Sequence, residues 1–138
     1  MRILLVYILV VIAGYNLAAQ EDACRKSTEG KEFWFGFMEN RDGSEERFVE
    51  ITVTSRQNTT FQLFIGPDET PYKGTFTVNA NDSRQVKIPL EVAETIGSEI
   101  MQERGIHLVA QAPVNVYALN WDINSADVAV IYPVKSLG

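Results

Sequence analysis

The stretch Val49-Glu50-Ile51-Thr52-Val53-Thr54, followed after Ser55-Arg56-Gln57-Asn58 by Phe61-Gln62-Leu63-Phe64-Ile65, decides the fold. Apolar and polar residues alternate with a period of two, which puts one row inward and one outward on a half-buried strand. Gly66-Pro67-Asp68 then supplies turn chemistry that stops the second run. The polar connection between the runs has hairpin length, so the two strands are predicted to be neighbours.

Outward from this pair, the same period continues. Phe76 and Val78 alternate with Thr75 and Thr77, and Asn79-Ala80-Asn81-Asp82 turns the chain into Val86, Ile88 and Leu90. A second hairpin is predicted there. Between Glu91 and Glu103 the spacing changes, with Val92, Ile96 and Ile100 four apart, so a short helix or an irregular crossover is expected near residues 91–103. Gly97 and Gly105 limit its helical part to about two turns.

Strands resume with Ile106–Ala110, Val114–Trp121 and Val128–Tyr132, with Ala112-Pro113 as a tight turn and Asp122 to Asp127 as a polar loop. On the N-terminal side, Phe33, Phe35 and Phe37 alternate with Trp34, Gly36 and Met38. Those aromatics cannot all face one core. Either the strand is covered on both sides, or the Trp34 side is a half-exposed platform for sugars or a partner protein, and Trp121 carries the same ambiguity. The sum is an all-β chain, an antiparallel β-sandwich of about 7–8 strands in one domain.

The first twenty residues read differently. Met1-Arg2 precedes an uncharged stretch of 17 residues from Ile3 to Ala19, ending Leu17-Ala18-Ala19-Gln20. That is the layout of a secretory signal peptide over residues 1–20, too short and too interrupted by Gly14 and Asn16 for a membrane anchor. Removing it leaves 118 of the 138 residues and takes Arg2 away, so 11 basic face 18 acidic residues, a net charge of −7. An acidic chain whose longest basic cluster is Arg25-Lys26 excludes nucleic acid as partner. No stable membrane span is expected after cleavage.

Cys24 is the single cysteine, so no internal disulfide is available in an oxidising compartment. Glu21-Asp22-Ala23 before it disfavours lipid attachment, leaving a free thiol or a bond to another chain or to a missing segment. Asn58-Thr59-Thr60 and Asn81-Asp82-Ser83 are glycosylation sequons in predicted turns.

Glu29-Gly30-Lys31-Glu32-Phe33-Trp34-Phe35-Gly36-Phe37-Met38-Glu39-Asn40 and Gly105-Ile106-His107-Leu108-Val109-Ala110-Gln111-Ala112-Pro113-Val114-Asn115-Val116-Tyr117-Ala118-Leu119-Asn120 together resemble the N-terminal domain family of the IgG-Fc-binding protein. The closing Tyr132-Pro133-Val134-Lys135-Ser136-Leu137-Gly138 is similar to a segment of that family, so the resemblance covers about residues 28–138. It implies a secreted or surface-displayed β-rich module of the kind found in animal mucus proteins and bacterial envelope proteins. It carries over no site residue. Family members continue past the Leu-Gly pair, which implies that residues 21–138 are the N-terminal part of a larger domain with an unpaired edge.

Chemistry-bearing residues are sparse. Asp122, Asn124, Ser125 and Asp127 bring four oxygen ligands to one loop, and Asn40, Asp42 and Ser44 surround Gly43, but neither has the alternation and glutamate of a calcium loop. Turn chemistry explains both. His107 is the single histidine, without a nucleophile motif in the sequence, and Glu45-Glu46 reads as a solvated face. No catalytic, cofactor or metal residue is assigned, and the binding residues are open. The expectation is a secreted, non-enzymatic module for adhesion or for binding an extracellular protein or glycan. The alternatives are a spacer or assembly domain bound to further domains of the same polypeptide, and, behind it, a glycan hydrolase built on two carboxylates in a cleft.

Overall fold

The computed structural model describes residues 27–40 and 47–137. The signal-peptide region, Cys24, Asp42, Gly43, Ser44 and Glu45-Glu46 lie outside them. Among the described residues nine strands occur in the order β1 (Gly30–Phe35), β2 (Phe37–Met38), β3 (Arg47–Ser55), β4 (Thr59–Ile65), β5 (Thr75–Val78), β6 (Asp82–Ile88), β7 (Glu94–Thr95), β8 (Ile106–Asp122) and β9 (Ser125–Ile131). One helical turn, α1 (Leu90–Ala93), precedes β7, and a 3₁₀ turn spans Val134–Ser136. Seven strands form one antiparallel sheet, while β2 and β7 pair in parallel as a small second one.

The organising element is β8, which runs unbroken for 17 residues. The sequence predicts two strands and a turn at Ala112-Pro113; instead Pro113 sits inside β8, at its bend. Along its first half β8 pairs with β4 and β1 (Leu63↔Leu108↔Phe33), and along its second with β3 and β9 (Val53↔Val116↔Ile131). β5 then pairs with β4, and β6 with β3. The sheet thus has four lanes, β5–β6, β4–β3, β8 and β1–β9, each bent near its middle.

This corrects both predicted hairpins. β3 and β4 do not pair with each other but follow one another along β8; β5 and β6 likewise continue one lane. The short polar connections are corners, and the period of two cannot distinguish a corner from a hairpin. At the bend, Asn81 N–H donates to Ser55 O at 2.7 Å, Ala80 N–H to Asn58 Oδ1 at 2.8 Å, and Ala112 N–H to Thr59 Oγ1 at 3.0 Å. The exposed asparagine and the buried threonine thereby satisfy backbone groups that the interrupted ladders release.

Parity survives the bend, so even residues of β8 and odd residues of β3 and β4 stay on the inner face. The halves fold over each other as a sandwich around one core that includes Phe33, Val49, Ile51, Val53, Phe61, Leu63, Ile106, Leu108, Val114 and Val116, all within 1 % exposure. In the 91–103 crossover only α1 is helical. Glu94 then turns to extended backbone at φ −85°, ψ 125°, leaving Ile96 and Ile100 exposed, so their helical spacing is coincidental.

The polar gap after Asp122 is a true hairpin with two loop residues, Ile123 and Asn124, and Asp122 Oδ1 accepts from Asn124 N–H at 2.8 Å. β9 then delivers Pro133 onto Gly30. A Cβ on Gly30 would lie 2.2 Å from Pro133 Cβ, so glycine is what lets the end of the β9 lane close over the start of β1. Gly30→Ala is expected to lower stability by about 1–3 kcal/mol through overpacking, read as a lower thermal midpoint. An unchanged midpoint would show that this closure does not hold the sheet together.

Candidate binding surface

The outer face of the first half is built by three adjacent strands. Register places Trp34 beside His107 and His107 beside Phe64, so three rings stand in a row across β1, β8 and β4. The Trp34 and His107 rings are stacked, with centroids 4.0 Å apart and planes within 7°. Phe64 follows at 5.8 Å and 34°. Because β1 borders this half of the sheet, Trp34 ends the row, and its indole remains 55 % exposed while Phe33 beside it is fully buried. Of the two alternatives for this strand, cover on both sides is not what is observed: the Trp34 side is half-exposed.

Polar groups flank the rings. His107 Nε2 lies 3.2 Å from Glu32 Oε1, which fixes the imidazole plane against the indole. One row further on stand Glu32, Val109 and Gln62, the amide of Gln62 donating to Thr75 Oγ1 at 3.0 Å. A flat, rigid aromatic end with the Glu32 carboxylate on the same strand can stack on an apolar sugar face or a planar side chain and accept a hydrogen bond from its rim. Phe64 and Gln62 joined this site only through β8; the sequence offered no signal for that juxtaposition.

The structure separates the residues of the oxygen-rich loop. Asp122 is buried, its Oδ1 capping the turn and its Oδ2 4.0 Å from Arg47 Nε, whereas Asp127 lies on β9 and Asn124 in solvent. Among the described residues no group of three His, Cys, Asp or Glu side chains could hold an ion. Asn40 turns its N–H to Glu94 Oε1 at 3.1 Å. The sequon residues Asn58 and Asn81 are exposed at the corners.

A buried ionic cluster, which the sequence did not reveal, closes the crossover end of the sandwich. Arg47 Nη2 lies 2.6 Å from Glu94 Oε1 and approaches Asp122 from its other side, while Arg104 donates to the Glu94 carbonyl. One guanidinium pairs with the buried Glu94 carboxylate of β7 and stands 4.0 Å from the buried Asp122 carboxylate at the end of β8. That is an anchor, unlike a pair of carboxylates open to a substrate.

A second surface lies on the other half. Phe48 and Trp121 stack at 5.0 Å, with Lys87 Nζ 3.8 Å above the Phe48 ring. In register beside them come Leu119 with Val128 and Tyr117 with Val130, so the outer face grows apolar toward β9. Val128 and Val130 are 68 % and 44 % exposed. On the inner side of β9, a groove of about 350 Å³ separates the strand from Gly36–Asn40, floored by Ala118 and Asn120.

No helix among the described residues is long and apolar enough to cross a membrane. No family model matches the chain, and no curated protein matches it. Among solved structures, one described as a crystal structure of Thermotoga maritima 1070 superposes with a TM-score of 0.44 and 12% identity, covering 75% of this chain and 93% of that one. An overlap of that size carries no functional argument. The resemblance to the N-terminal domain of the IgG-Fc-binding protein therefore rests on the quoted residues alone.

Proposed function

We propose that this chain is an exported, non-enzymatic β-sandwich module that works outside the cell or at its surface by adhesion, binding an extracellular protein or glycan. The observation that carries this reading is the Trp34–His107–Phe64 row. A tryptophan that leaves more than half its surface in water, yet is held rigid by a parallel ring on one side, has lost conformational freedom before any ligand arrives. The opening signal-peptide layout supports export, and the family resemblance supports a surface-displayed module.

The test is a glycan array and a secreted-protein array with the wild-type chain and with Trp34→Ala. Truncating a central aromatic anchor costs about 2 kcal/mol or more, so W34A is expected to bind roughly 30-fold more weakly. Its melting curve should barely move, because an exposed side chain contributes little to the core. Ligands retained equally by W34A would remove the platform from the proposal, and an absence of ligands on both arrays would overturn the binding reading.

The competing reading, an assembly domain whose partners are other protein segments, draws on β9. Arrays that stay empty while β9 captures a strand would favour it.

A further inference from the structure

Four strands border the large sheet, and three carry devices that deter a further strand. β6 displays Asp82, Arg84 and Lys87; β1 holds Lys31, Glu32 and a register break against β8; β5 has only four residues. β9 is seven residues long, regular in register from Ser125 to Ile131, and pairs only with β8 among the described residues. Its outward side chains are Ala126, Val128 and Val130, continuous with the Leu119 and Tyr117 face. Its one charge is Asp127, on the groove side.

The groove is specific about what it lacks. Asp127 stands in register with Asn120, and both line the groove. Asn120 donates one amide hydrogen to Met38 O at 2.8 Å, while its buried Oδ1 has no hydrogen-bond donor among the described residues. Glu39, the other lining carboxylate, accepts from Gly97 N–H at 3.0 Å. Among the described lining residues there is no cation. An exposed carboxylate in a groove with no cation among the described lining residues asks for a charged donor, and backbone N–H and C=O groups on the open edge ask for an extended chain.

We propose that β9 accepts an extended segment of a partner polypeptide that presents a lysine or arginine to Asp127 and apolar residues to the Val128 face. Strand addition supplies the backbone bonds; the cation fixes register, since a shift of one residue would turn it to the apolar face. A second copy is a poorer occupant. Its β9 would bring another Asp127 and no lysine, because Lys135 lies beyond the strand. This site lies on the opposite half of β8 from Trp34 and does not depend on the platform being a binding site.

The experiment uses the full chain and two labelled nine-residue peptides of alternating valine and threonine, one with lysine at the central groove-facing position and one with glutamate there, followed by fluorescence anisotropy. The lysine peptide is expected to bind about tenfold or more tighter than its twin, and Asp127→Lys to invert that preference without shifting the melting curve. W34A should bind the lysine peptide as the wild type does. Three results would overturn the proposal: neither peptide binding at about 1 mM, a preference indifferent to D127K, or loss of peptide binding in W34A. Concentration-dependent dimerisation in sedimentation that D127K abolishes would assign the edge to a second copy and overturn it as well.

Discussion

Arg47→Met is expected to cost about 3–5 kcal/mol, because it takes the ion-pair partner from the buried Glu94 carboxylate and a nearby positive charge from Asp122. Their side chains are 3 % and 2 % exposed, and that of Arg47 12 %, so water cannot replace the lost partner. Small domains hold about 5–15 kcal/mol in all, which makes this loss a large share of the total and lowers the thermal midpoint by roughly 10–25 °C. Replacing all three residues together, as R47M/E94M/D122L, should recover much of the loss, since no charge is then left uncompensated. R47K should fall between, a point charge being unable to face two carboxylates as the planar fork does. Circular dichroism melts of the variants decide it. A midpoint within a few degrees of wild type in R47M would mean that solvent reaches the cluster and that the anchor is dispensable.

Leu108→Ala is expected to be about as damaging, at about 2–5 kcal/mol. Leu108 sits between Phe33 and Leu63 in register, and all three are fully buried, so truncation opens a void under two ladders at once. Close packing and the two-sided hydrogen bonding of β8 leave little room for collapse into that void. The control is Leu137→Ala, where the side chain is 68 % exposed and the change should lie within about 0.5 kcal/mol. If denaturant unfolding gave L108A and L137A the same midpoint, the core would be placed elsewhere.

The all-β character was legible wherever one face of a strand is buried. Val49, Ile51 and Val53, with Phe61, Leu63 and Ile65, face the core as their alternation requires. Pairing was not legible. Ser55–Asn58 has the length and polarity of a hairpin loop, and nothing local says that β8, fifty residues on, occupies the edge on which β3 and β4 would have met. Pro113 misled for a related reason: proline ends most strands, but a bend in a long one also lacks a ladder bond for its nitrogen to donate. At the candidate surface, the exposure of Trp34 was one of two alternatives the period left open, and His107 joined it by register alone. Arg47 and Glu94 meet across 47 positions, beyond any spacing rule.

Because four of the six ladders in the large sheet use β8, the order of synthesis matters. Until residue 106 and beyond have emerged, β1, β3 and β4 have no partner for the edges they later share with β8, and of the large sheet's ladders the nascent chain can form only β3·β6 and β4·β5. Folding dominated by such distant pairings takes milliseconds to seconds. If the chain is exported as proposed, that delay keeps the large sheet from closing on the near side of a translocation channel, and the arrival of the late strand β8 on the far side sets the moment at which the module locks.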